Sequence, residues 1–149
     1  MFKTAPEVPW MEDEVKELPA FPEPSSLVPF IVQRSSKYGY RADPRSLSAG
    51  KDGIVRFVLA IDASGAGQQV SYAGIHCETK RWKTYAIGTS ANGWRRLSKP
   101  AWEAIEKKSL ENYREELYST YFCSGGAPAG DEKVLLANLS KDPGKRTRR

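Results

Sequence analysis

The chain has 149 residues, of which 40% are hydrophobic and 28% charged, with two cysteines, one histidine and a formal net charge of +5. That length supports one domain with tails, and no apolar run is long enough to span a bilayer. A lone histidine without a cysteine cluster or EF-hand spacing leaves no metal ligand set, so neither a metal nor a cofactor is expected.

Charge divides the chain. Residues 1–33 hold six acids against Lys3 and Lys16, net −4, residues 34–102 carry net +8, and residues 103–149 carry net +1. Six prolines between Pro6 and Pro29 deny the acidic segment helical hydrogen bonds. Residues 1–26 are therefore expected to form an extended, weakly packed arm, with Trp10 as a local anchor. Residues 27–140 form the domain, and residues 141–149 a basic, disordered tail.

Within the domain, Leu27 to Gln33 reads as a first strand that Pro29 confines to an edge or a bulge. Ala42-Asp43-Pro44-Arg45 and Gly50-Lys51-Asp52-Gly53 read as two turns bracketing a short element. Ile54 to Asp62 is the clearest strand: Val55, Phe57, Leu59 and Ile61 alternate on a core face and leave Arg56 and Asp62 on the other. Ser64-Gly65-Ala66-Gly67 marks a hairpin returning through Gln68 to Cys77, with Ala73, Ile75 and Cys77 on one face and Tyr72 and His76 on the other. Arg81 to Thr89 follows as a strand, and after the turn at Ala91-Asn92-Gly93 comes a short edge strand, Trp94 to Leu97.

Beyond Pro100 the period changes. Leu110, Tyr113, Leu117 and Tyr121 fall at helical spacing, with Ser109 as N-cap and Gly125-Gly126 as the stop. A second helical stretch covers Asp131 to Ser140. The expected architecture is α+β, an antiparallel β-meander with a C-terminal helix docked on one face.

Cys77 ends a strand-like run and Cys123 a helix-like run, so a bond between them would staple sheet to helix. An even count fits a disulfide in an oxidising compartment, and the alternative is a pair of free buried thiols. With no apolar stretch after Met1-Phe2-Lys3-Thr4, the bonded reading implies an exported mature form whose signal sequence has been removed.

Several linked segments carry a resemblance: SYAGIHC at 71–77, YAIGTSANGW at 85–94, PAWEAI at 100–105 and YREELYSTYFCSGGAP at 113–128. Together with ELPAFPEPSSLVPF and DGIVRFVLAI, they resemble the cryptic neisserial protein family of β-proteobacterial envelope proteins over roughly residues 10–139. The resemblance implies export, with placement in the periplasm or at the outer membrane, often as a lipoprotein. It implies no catalytic activity and no known ligand.

The residues agree in offering little chemistry. A Cys77 nucleophile would need His76 as its base, and the two fall on opposite strand faces. The acids Glu12 to Glu14 and Glu115-Glu116 are expected to be solvated. Gly65-x-Gly67 lacks the strand-to-helix context of a phosphate loop. What remains is a basic aromatic run: Lys80, Arg81, Trp82, Lys83, Trp94, Arg95 and Arg96 on two neighbouring strands, with Tyr85 interleaved. Cations beside aromatics suit an anionic partner, and a protein, lipid headgroup or polysaccharide of the envelope is preferred over nucleic acid. The function expected is non-enzymatic binding of an envelope component, with nucleic-acid or other polyanion binding by strands 80–96 as the alternative.

Overall fold

The computed structural model describes residues 11–33, 38–63, 67–107 and 112–141. Trp10, Ser109 as N-cap, Leu110, the turn residues Ser64 to Ala66 and the tail from residue 142 lie outside the described residues.

Alternation on the central strand organises everything else. β1 (Val28–Phe30), β2 (Tyr38–Ala49), β3 (Ile54–Ala63), β4 (Gly67–His76), β5 (Arg81–Gly88) and β6 (Trp94–Arg96) pair in sequence order, all antiparallel. β7 (Glu103–Ala104) pairs with Arg81 and Trp82 of β5, so β6 and β7 share one edge end to end. Among the described residues this makes a seven-stranded sheet. Val55, Phe57 and Leu59 point to one side with Ala73, Ile75 and Cys77, whereas Val58 and Ala60 point to the other with Val70 and Tyr72. Both sets are buried, so each face needs a cover.

The helix face is covered by the C-terminal third. α1 (Asn112–Glu116) runs into a π-helical turn, Leu117–Phe122, then β8 (Cys123–Ser124) and β9 (Ala127–Pro128) form a small hairpin before α2 (Glu132–Leu139). Leu117, Tyr121, Phe122, Leu135 and Leu139 are buried against the sheet, and Phe122 lies 5.0 Å from the Phe57 ring. Asp131 caps α2 by accepting from the Val134 amide at 3.1 Å. The Cys77–Cys123 disulfide joins the residue after β4 to the end of the π turn, with 5.5 Å between Cα atoms and a sequence separation of 46.

The structure corrects the reading of Ala42-Asp43-Pro44-Arg45. These residues lie within the single twelve-residue strand β2, as a bulge between Asp43 and Ser48. Asp43 accepts from the Arg45 amide at 3.0 Å, and its carbonyl accepts from the Ser46 hydroxyl at 2.7 Å. Ser46 Oγ in turn accepts from Val58 N at 2.7 Å, so side chains replace the interrupted ladder and tolerate Pro44. Turn chemistry here loops four residues out and returns the chain to the same strand.

A second correction concerns the arm. Residues 11–23 are extended without helix, and a 3₁₀ turn follows at Pro24–Ser26, but the segment is not weakly packed. It lies as a strap across the second sheet face, hereafter the strap face, with Val15, Leu18 and Phe21 against the cluster of Leu27, Val58, Val70, Tyr72, Tyr85 and Ala86. Lack of internal hydrogen bonds decides that a segment is not helical, and says nothing about what it docks on. No helix among the described residues is long and apolar enough to cross a membrane.

Candidate functional site

Strand alternation turns Arg56, between the core residues Val55 and Phe57, onto the strap face at the middle of the sheet. It is 7% exposed, and a buried guanidinium requires partners on most of its donors. Asp52 Oδ2, from the β2–β3 turn, accepts from Nη2 at 2.9 Å, and the Tyr85 hydroxyl lies 3.3 Å from Nε. Asp13 O and Glu12 Oε2 follow at 3.3 and 3.4 Å. Asp52 is itself oriented by the amides of Asp13 at 2.9 Å and Ile54 at 3.2 Å. Burial opposes its ionisation, but Arg56 and these amides outweigh burial and hold its pKa below the usual carboxylate value. Arg56 is held firmly protonated despite its own burial, chiefly by the Asp52 hydrogen bond.

Glu12 completes the cluster from the strap. Its carboxylate accepts from Lys83 Nζ at 2.8 Å, the Tyr85 hydroxyl at 2.7 Å and Trp102 Nε1 at 3.2 Å. Burial alone would raise its pKa; the Lys83, Tyr85 and Trp102 donors reverse that and lower it. Lys83 is clasped between rings, 5.4 Å from the Tyr85 centroid and 5.3 Å from that of Trp102. Two glycines make room. A Cβ on Gly74 would stand 2.9 Å from the Tyr85 hydroxyl, and one on Gly88 would stand 3.1 Å from the Phe21 ring.

Further along, the strap is read through its main chain. Arg96 donates to the carbonyls of Val15 at 3.2 Å and Lys16 at 2.8 Å, and Trp94 Nε1 donates to Pro19 O at 2.8 Å. Phe21 meets Trp94 edge-on with centroids 4.9 Å apart.

His76 borders the cluster at 2% exposure, its ring 6.2 Å from Trp102. The Thr79 amide and hydroxyl stand 3.3 and 2.7 Å from Nδ1 and orient the ring. Burial pushes its pKa down, against the pull of Glu78 and Asp52. Burial raises the Tyr85 hydroxyl pKa strongly, with Arg56 opposing. Donors converging on a carboxylate, with the phenol kept protonated, make a device for holding an anion.

The basic aromatic run is divided by the sheet. Trp82 is on the helix face at 1% exposure, its ring 5.4 Å from Phe57 and 5.8 Å from Tyr113. Lys80 reaches Glu115 Oε1 at 2.8 Å and lies 5.2 Å from the Tyr118 ring. Lys83, Trp94 and Arg96 face the strap and hold it. Arg81 is half-exposed and Arg95 exposed.

The acids Glu12 and Glu115, expected to be solvated, are ion-paired instead. Arg56, Asp52 and Trp102 are not among the site residues the sequence points to, whereas Tyr85 falls within its basic aromatic run. The available signal was an arginine inside an otherwise apolar strand, beside an arm whose charge opposes that of the sheet.

Comparison with curated proteins and with solved structures gives no match. A family model spans the strap, the sheet and both helices, matching residues 5–140, and on that match the chain belongs to the CNP1-like family.

Proposed function

We propose that this protein is a non-enzymatic binding module of the cell envelope, exported to the periplasm or associated with the outer membrane. The observation that carries the reading is the Cys77–Cys123 disulfide, which engages both cysteines of the chain and bridges the sheet to its helical cover. Such a bond persists in oxidising compartments and is rare where thiols are kept reduced. A non-enzymatic role is supported by the polar cluster, whose groups are engaged with one another in ion pairs and hydrogen bonds.

Nucleic-acid or other polyanion binding by strands 80–96 has less support. Base stacking needs exposed rings, and Trp82 is core while Trp94 packs on Phe21 and Tyr72. The reading is tested by fractionating native cells and mapping non-reduced peptides from the isolated protein. A Cys77–Cys123 peptide from the periplasmic or outer-membrane fraction is expected. Two free thiols, or recovery in the cytosolic fraction, would overturn export.

A further inference from the structure

The strap face recognises three things at once. Donors from Arg56, Lys83, Tyr85 and Trp102, carried on β3, β5 and the segment before β7, converge on a single carboxylate. Trp94 and Arg96 donate to main-chain carbonyls, which any peptide presents. Apolar seats take residues three apart, Val15, Leu18 and Phe21, the repeat of a polyproline II strand. None of residues 11–23 joins the sheet ladder, so the strap is held by side chains laid over a finished sheet. Glu12 of the strap pairs with Arg56 and Lys83 of this face.

We propose that this face is a receptor site for an extended acidic peptide segment of a partner protein, with the strap as a tethered ligand that occupies the site until displaced. The inference rests on the binding-module reading and names the partner's chemistry. A tethered ligand competes at an effective concentration in the millimolar range, so a partner binds the wild-type chain weakly and a chain with a loosened strap well. Removing the Glu12 carboxylate from the chain empties the cradle and leaves its donors in place for an incoming carboxylate.

The test uses full-length chain and a fluorescein-labelled synthetic peptide of residues 11–23, read by anisotropy. Glu12→Ala protein is expected to bind the peptide at least about tenfold more tightly than wild type, since one lost charge-assisted contact set is worth that or more. A peptide carrying Gln in place of Glu12 should bind about tenfold or more weakly, as should the Glu12→Ala, Lys83→Met double variant. Glu12→Gln protein, which keeps the shape of the side chain, repeats the measurement should the alanine variant melt below the assay temperature.

No binding to either variant, or equal binding of the Glu and Gln peptides, would overturn the proposal. So would loss of fold in both variants, because a displaceable strap requires the sheet to stand without its latch. Capture of heparin or of phosphatidylglycerol vesicles in place of the peptide would overturn it in favour of polyanion binding. Peptide binding by a protein whose native thiols prove free would keep the receptor and remove the compartment, so the two readings fail separately.

Discussion

The two faces of this sheet are covered by opposite strategies. The helix face is closed by Leu117, Tyr121, Phe122, Leu135 and Leu139 and locked by a covalent bond. The strap face is closed by a segment without regular structure, which seats Val15, Leu18 and Phe21 but is fixed at one end by a carboxylate in a ring of donors and elsewhere by donors to its carbonyls. Apolar burial and a disulfide are not weakened by charge screening and depend little on pH, whereas ion pairs and charged hydrogen bonds respond to both. One side of the molecule is built to persist and the other to answer to its surroundings.

The comparison is tested most severely at the staple. Replacing Cys77 and Cys123 together by Ala should cost about 4 kcal/mol for a loop of this length, measured as the shift in denaturant midpoint under non-reducing conditions. The strap should stay docked in that variant, with the Arg96 and Trp94 contacts intact by amide exchange at Val15 to Ala20. Loss of strap protection along with the staple would mean that the two faces are one cooperative structure.

Glu12→Ala should cost less, about 1–3 kcal/mol, because the carboxylate it removes leaves Lys83 and Trp102 with access to water. Its signature is local: faster exchange across residues 12–23 and unchanged exchange in β3 and β4. Uniform acceleration throughout the sheet would erase the distinction between the faces.

Acid should loosen the strap face in two stages. His76 has a folded pKa below its ordinary 6.5, so the neutral ring is favoured and stability falls as pH drops from 6.5 toward that lower value. Glu12 has a folded pKa below 4.5, so its contribution is full above 4.5 and is lost as pH falls through the folded value. Melting temperatures of wild type and Glu12→Gln should therefore converge at the acid end, while His76→Asn flattens only the upper stage. A gap between wild type and Glu12→Gln that persists at the lowest pH would remove the carboxylate as the latch. The smallest effect belongs to Arg95→Ala, on an exposed edge position, where the melting temperature should not move measurably.

Legibility in the sequence followed the strength of each local signal. β3 reads correctly because Val55, Phe57, Leu59 and Ile61 repeat with period two, and α2 because Asp131 is a good cap before a helical stretch. β2 was hidden by Pro44 and Asp43, whose turn preferences are satisfied inside a bulge. The core positions of Phe57 and Tyr121 and the pairing of the two cysteines were legible; the polar cluster was not. Arg56, Asp52, Glu12 and Trp102 are brought together from four places in the chain by pairing register, and no spacing in the sequence encodes that meeting. Lys83 and Arg96 were visible as cations, but whether they face a partner or the protein's own strap depends on what lies over the sheet.

The π turn before Cys123 has a consequence for how many residues this segment must contain. In an α-helix, residues five apart stand roughly 140° apart around the axis, so Leu117 and Phe122 could not both face the sheet. They do, at 0% exposure each, because the turn is wound more loosely, with the Cys123 amide donating five residues back to Tyr118 O. The turn works as a counter whose last digit is the sulfur. Deleting one residue among Tyr118, Ser119 and Thr120 would rewind it as an α-helix, keep most of the apolar composition, and rotate Cys123 away from Cys77. Length in this one stretch is therefore fixed by phase, while an exposed replacement such as Ser119→Ala leaves the count, and with it the bond, in place.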